Sequence, residues 1–417
     1  MMTTHSLQPK RTVAELKELR VLTGDEAGAQ RVAFTDTWAR ARSWMRDKLA
    51  ELPVEVTVDA AGNQWATLRG ASQKELVIGG HIDSVPNGGW LDGSLNVLAG
   101  LEVLRRIASE GTPPMTVRLV DWADEEGARF GRSLFGSSAA SGTMNPEELR
   151  GLRDRDGIAL PEAIAAHGID FERLLDARAE LRNATAYLEL HIEQGPVLES
   201  MDLPLGVVLG TFGVERHRII WKGQAAHAGS TPMDKRHDAL AGAAKLALEI
   251  RNIAARAGHG AVCTSGGVVC RPGIVTSVVE TAIQLLDQRH LDGDLLAQML
   301  REAKQASHRF AEEEKIEVSW EQLWRIDPIL FHPELIELAD AAVRDVAGVS
   351  HRLPSGPLHD AAEVARAGVP TIMLFVQSLY GISHNKIEDT LEPHLEMAVQ
   401  ALDRLAGKTI DWIQKQN

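Results

Sequence analysis

Cysteine is nearly absent: the 417 residues hold two, Cys263 and Cys270, and they are not spaced as Cys-x-x-Cys. That scarcity argues against a disulfide framework or a cysteine-based zinc knuckle, and both are expected to be reduced packing residues. Positive charge is also in deficit, with 44 Lys and Arg against 58 Asp and Glu and a formal net charge of −14. Duplex binding rests on clustered Lys and Arg, which here are scattered through helical patterns, so no nucleic-acid partner is expected. No apolar run reaches the length of a membrane span, and the opening MMTTHSLQPKRTVAELKELR lacks the apolar stretch of a signal peptide. The expectation is a cytoplasmic chain without a membrane partner, in which the Asn183-Ala-Thr185 sequon carries no weight.

What is present is an ordinary globular composition, 44% hydrophobic and 24% charged. The length exceeds what one hydrophobic core sustains, so two domains or a domain with an insertion are expected. After a helix capped at Thr35-Asp36, VEVTVDAAGNQWATLRG alternates like a hairpin, and an apolar run from Glu75 leads into GGHIDSVPNGGWLDG. A helix at LNVLAGLEVLRRIASEG and a strand at TVRLVDWA complete a βαβ unit, which predicts a largely parallel sheet there. A helical stretch through residue 179 and a strand at AYLELHIEQG follow. From about residue 210 the order becomes β-α-β-β-α-β, a ferredoxin-like unit complete in itself. The fold class expected is α/β: a main domain of residues 1–209 and 328–417 with a mixed, largely parallel sheet flanked by helices, carrying an inserted ferredoxin-like α+β domain at 210–327.

The residues with chemistry cluster past the ends of the main-domain strands, where open α/β sheets place their sites. His81, Asp83 and Asp92 follow the first, Glu125 and Glu126 the second, His191 closes the third, and His384 follows the last. Three histidines with several carboxylates are what a pair of divalent metals needs, and imidazole with carboxylate suits zinc, manganese or cobalt. Asp92 is assigned as the bridge, because a shared carboxylate can hold two cations about 3.5–4 Å apart. Asp83, two residues from His81, is placed to accept the other imidazole N–H. Of Glu125 and Glu126, neighbours pointing opposite ways, one is expected to ligate and the other to act as general base.

The motifs GGHIDSVPNGGWLDG, DEEGARFGRSLFGS, LELHIEQGPVLE, GQAAHAGSTPMDKRHDAL, SGPLHDA and GISHNKIEDT resemble the hydantoinase/carbamoylase family of binuclear metal amidohydrolases, within the M20 peptidase superfamily. The resemblance runs from about residue 28 to the C-terminus. It implies His81, Asp92 and His191 around one metal, Asp92, Glu126 and His384 around the other, and Glu125 as the base. It further implies that Gln194 contacts the substrate's amide or ureido group, that His227 stabilises the oxyanion in a partner subunit's site, and that Arg289 binds the substrate carboxylate. His359 becomes a residue beside the metals rather than a ligand, the inserted domain a dimerisation lid, and the peptide after Asp92 a cis bond.

The chain departs from the family twice. Many members read Pro-Asn-Ala-Val-Asn where this one reads Pro272-Gly-Ile-Val-Thr276, and Ser-Gly-Ala-Gly-His-Asp where this one reads Ser355-Gly-Pro-Leu358-His-Asp. Both departures fall where substrate is expected. The activity implied is a homodimeric amidohydrolase with two divalent metal ions per subunit, acting on a small N-carbamoyl amino acid or related ureido or amide acid. The alternative is an N-acyl amino acid amidohydrolase or dipeptidase on the same scaffold.

Overall fold

The computed structural model describes residues 6–258 and 260–416. It divides into two compact units, Met1–Leu209 with Phe331–Asn417, and Gly210–Leu330.

The first unit is built on a mixed sheet. Its centre is four strands running the same way, in the spatial order Thr371–Val376, Ala184–Ile192, Glu75–His81, Thr116–Trp122. Each is a short apolar run buried on both faces, the pattern of a parallel strand covered by helices. Antiparallel strands finish both edges: Gln64–Leu68 and Glu55–Val58 on one side, Leu205–Thr211 on the other. The last of these, and Arg352–Ser355 that pairs with it, are not anticipated from sequence. LGVVLGT is short, glycine-split and without alternation, so periodicity gives no signal there. The predicted helical stretch before residue 179 is instead two short helices, Pro146–Leu149 and Leu160–Ala165, and a 3₁₀ run, Phe171–Leu181.

Parallel strands bring their C-terminal ends to one edge of the sheet. In register, His81 lies beside Trp122, and Phe375 beside His191. The helix Ser94–Ser109 is buried along most of its length, as a helix between a sheet and other helices must be. It begins directly after Gly93, so the loop carrying His81 and Asp92 is clamped between a buried strand and a buried helix. Asn96 on its first turn accepts the main-chain N–H of Leu190 at 2.9 Å, which seats the helix against the strand that carries His191.

The second unit has its own four-stranded antiparallel sheet, in the spatial order Val262–Arg271, Thr281–His290, Gly213–Lys222, Glu317–Ile326. Helices Ala239–Ala257 and Gly293–Glu314 pack against it around a separate core that includes Trp221, Leu246 and Met299. Asp238 and Asp292 cap these helices through their carboxylates.

Candidate metal centre and active site

The four strand ends deliver the site. His81 is the last residue of its strand and His191 the penultimate residue of another, and both are buried. On the latter strand the period of two puts Tyr187, Glu189 and His191 on one side. The Nδ1 of His81 lies 3.1 Å from the main-chain oxygen of Asp83, and that of His191 lies 2.9 Å from the oxygen of Ile192. Each Nδ1–H donates to a carbonyl, which fixes the tautomer and turns the Nε2 lone pair inward.

Asp92 faces these nitrogens with both oxygens. Oδ1 is 3.2 Å from His191 Nε2 and 3.7 Å from His81 Nε2. Oδ2 is 3.5 Å from His384 Nε2, which is itself 3.3 Å from Glu126 Oε2. Two triads, His81–Asp92–His191 and Asp92–Glu126–His384, therefore share one carboxylate, with the ligand atoms of each within 4.8 Å of one another. The buried Nε2 of His81 has no hydrogen-bond partner among the described residues, as a nitrogen reserved for a cation would. Donor set and geometry both fit divalent metal.

Electrostatics points the same way. Burial opposes the charge on Asp92, yet His191, His81 and His384 hold its carboxyl well below the usual range. Burial opposes a charge on His81 as well, but Glu125, Asp83 and Asp92 outweigh it and push its pKa well up. Glu125 and Glu126 are both pushed well above ordinary carboxyls, first by burial and then by neighbouring acids. Cations at the two triads would offset this excess of buried negative charge.

Three site residues adopt the left-handed backbone conformation without being glycine: Asp124 (φ 54°), Gln194 (φ 57°) and His384 (φ 54°). Such geometry costs free energy and persists where the surroundings hold it. Around Asp124 the grip comes from Asp83, whose carboxylate accepts the main-chain N–H groups of Glu125 and Glu126, both at 3.2 Å. This differs from the expected role: the Asp83 main chain takes the His81 proton, while its carboxylate, 3.5 Å from Nδ1, chiefly orients the two glutamates. Glu125 Oε2 then lies 3.6 Å from His81 Nε2, on the metal-facing side.

The cis peptide expected after Asp92 is absent. The one cis bond among the described residues is Arg271–Pro272, and the turn is made by Gly93 at φ 66°. A Cβ on Gly93 would lie 2.3 Å from the His81 ring, and one on Gly89 would lie 2.1 Å from the Glu388 carboxylate. Gly89 and Gly93 of GGWLDG are thus demanded by close approach.

The remaining predicted residues divide between the units. Gln194 does reach the site, but its Nε2 donates to Asp92 Oδ2 at 2.9 Å and to Ser383 Oγ at 3.1 Å. The His359 ring packs 4.4 Å from that of His191, with Nε2 2.9 Å from Ser355 Oγ, and burial together with His191 pushes its pKa well down. Leu358 beside it is half-buried. His227, Arg289 and Thr276 belong to the second unit. His227 is exposed, and its Nδ1 accepts the Gly229 N–H at 3.1 Å. Thr276 is an exposed residue whose carbonyl accepts the N–H of Ala228, next to His227. Arg289 binds Asp287 through Nε at 2.8 Å and Nη2 at 3.3 Å.

Several residues escape the sequence reading. Glu388 accepts the N–H groups of Leu91 and Asp92 at 3.1 and 3.0 Å, and burial with Asp92 nearby pushes its pKa to about 7. Ser383 Oγ is 2.9 Å from Asp92 Oδ2. Fully buried Arg31 donates to Ile82 O at 2.7 Å and brings a positive charge toward Glu388, Asp83 and Asp92. The paired glycines at 88 and 89 were the available signal for Glu388; nothing marks Arg31 among the other arginines.

Three histidines and a shared carboxylate at the C-terminal edge of a parallel sheet define a metal-dependent hydrolase. The profile of Peptidase family M20/M25/M40 matches residues 77–408. An N-carbamoyl-L-amino acid amidohydrolase of Geobacillus stearothermophilus is 36% identical over 364 residues, 87% of this chain and 88% of that one. An allantoate amidohydrolase of Escherichia coli (strain K12) is 31% identical over 381 residues, 90% of this chain and 91% of that one. A crystal structure of a hydantoinase/carbamoylase family amidase from Burkholderia multivorans superposes with a TM-score of 0.87 at 30% identity, covering 96% of this chain and 98% of that one. The chain belongs to peptidase family M20/M25/M40, among its hydantoinase/carbamoylase amidases. It is a metal-dependent amidohydrolase of carbon–nitrogen bonds other than peptide bonds.

Gly93→Ala should strain the backbone at positive φ and drive a methyl into the His81 ring. The expected result is a stability loss of more than about 1 kcal/mol and metal binding weakened at least about tenfold. Thermal unfolding and metal content after dialysis read both; unchanged metal retention would contradict the geometry.

Proposed function

We propose that the protein binds two divalent cations per subunit and hydrolyses N-carbamoyl amino acids as a homodimer. The observation that carries this reading is the division of the Asp92 oxygens between two triads. The names of the relatives support the substrate class, since one is described as acting on N-carbamoyl-L-amino acids and another on allantoate.

When bound, zinc, manganese or cobalt supplies Lewis acidity toward the substrate carbonyl and lowers the pKa of the attacking water. Glu125, whose Oε2 lies 3.6 Å from His81 Nε2 and which belongs to neither triad, takes that water's proton and returns it to the leaving nitrogen. His227 donates to the developing oxyanion of a partner subunit's substrate. The tautomer supports this, because a Nδ1 that accepts the Gly229 N–H leaves the proton on Nε2. Arg289, oriented by Asp287, receives the substrate carboxylate, and Gln194 its ureido group. For a carbamoyl substrate the products are the amino acid, ammonia and carbon dioxide.

Glu125→Gln is expected to keep its metals, because the second triad uses Glu126, while kcat falls by about 10²–10⁴-fold or more. Metal analysis with ammonia release checks this; loss of metal would exchange the roles of the two glutamates.

Sharing between subunits has its own test. Glu125→Gln and His227→Ala chains, each inactive alone, should on subunit exchange regain about a quarter of the wild-type rate, since half of the dimers are mixed and one of the two sites in each is whole. No recovery despite proven exchange would refute a site completed by the partner.

The two departures bear on selectivity. Thr276 offers one hydroxyl where an asparagine would offer a donor and acceptors, and Pro357-Leu358 adds apolar bulk beside His359. Derivatives with a bulky apolar side chain should therefore exceed N-carbamoylglycine and N-carbamoyl-β-alanine in kcat/KM by roughly 5- to 150-fold, the effect of one unpaired buried polar group of about 1–3 kcal/mol. Steady-state kinetics across a carbamoyl, formyl, acetyl and dipeptide panel decides, and also separates carbamoylase from the N-acyl amidohydrolase or dipeptidase alternative.

A further inference from the structure

Asp92 must offer one oxygen to each triad, yet the torsion that sets a carboxylate plane is broad and two-fold, so the bare side chain does not hold that orientation. The fold supplies the restraint from the loop that carries His384. Glu388, 2% exposed, reaches back to the Asp92 loop, where its Oε1 accepts the N–H groups of Leu91 at 3.1 Å and Asp92 at 3.0 Å. Its Oε2 is 2.9 Å from Ser383 Oγ, and that hydroxyl is 2.9 Å from Asp92 Oδ2. Gln194 Nε2 reaches the same Asp92 oxygen at 2.9 Å. Asp92 is thus held at its main chain and at one side-chain oxygen by residues that belong to neither triad. The space for Glu388 is kept by Gly89, where a Cβ would lie 2.1 Å from the carboxylate.

We propose that Glu388, acting through Ser383, is the positioning residue that sets the plane of the Asp92 carboxylate and so prepares the Asp92–Glu126–His384 triad for its cation. The effect is selective. The restrained oxygen, Oδ2, faces His384, whereas Oδ1 faces His81 and His191, whose own rings are fixed by main-chain carbonyls. This inference rests on the two-cation reading above and adds to it which ion depends on which neighbours.

The test is titration of chelator-stripped, full-length protein with Mn²⁺, read by calorimetry and by the stoichiometry of bound ion. In Glu388→Ala one of two ions should bind about 10–100-fold more weakly, the usual effect of removing a group that orients a metal ligand, while the other changes little. Ser383→Ala, a smaller disturbance if Glu388→Ala folds poorly, should weaken the same ion. Glu388→Gln should recover most of the loss, because its amide oxygen can still accept both N–H groups and its NH₂ can reach Ser383. Two ions bound by Glu388→Ala and Ser383→Ala as tightly as by wild type, or weakened equally, would overturn the inference while leaving the two-cation reading intact. A wild-type stoichiometry of one ion would overturn that reading, and the selective role of Glu388 with it.

Discussion

A single buried carboxylate, that of Asp92, is the constraint the first unit is organised around. An ionised carboxylate out of water is costly unless its oxygens are paired and hydrogen-bonded. Here three imidazoles, one hydroxyl and one amide converge on its oxygens, while Glu388 takes its main-chain N–H. That convergence is possible because parallel strands end together and Gly93 turns the loop directly into a buried helix. Displacing the loop by an ångström would break contacts to three strand ends at once.

The surroundings of Asp92 are more acidic than a metal-free interior tolerates. Glu189 and Asp360, fully buried beside the histidines, are pushed up by burial, and for Asp360 next by Glu189 itself. The Tyr187 hydroxyl and the Ala361 N–H give Glu189 two donors. Arg31 is a compensating cation, but one guanidinium does not balance Asp83, Asp92, Glu125, Glu126 and Glu388 together. Metal dependence therefore fits the interior as well as the ligand set: bound metal would relieve the repulsion among the groups that hold it.

How much of this was legible follows from the kind of signal each part leaves. The central strands stand out because burial on both faces gives short apolar runs bounded by glycine, and His81, Asp92, His191 and His384 stand out because each sits at the end of such a run or in the loop behind it. The strand Leu205–Thr211 leaves no periodic trace. The role of Asp83 was read one atom away from where it lies, since a spacing of two residues predicts proximity but does not tell a carbonyl from a carboxylate. That Gln194, expected at the substrate, also rests its amide nitrogen on Asp92 is a contact that its position in the sequence does not announce. Residues such as Glu388 and Arg31 act through contacts across long stretches of chain, and their neighbours in sequence give no hint of them.

The division of residues between the two units separates two kinds of change. Every residue of both triads, with Glu125, Asp83 and Glu388, lies in the first unit. Of the two departures from the common pattern, one is Thr276 in the second unit, on a turn that shares a backbone hydrogen bond with the residue after His227. The other, Pro357-Leu358, is in the first unit, immediately before His359, and leaves that ring packed on His191. Neither touches the Asp92 network. A ligand set held by so many mutual contacts tolerates few substitutions, because each removes a partner from a buried charge. An exposed turn has no such penalty, so variation among amidases of this fold is free to gather there without disturbing the buried carboxylates and histidines.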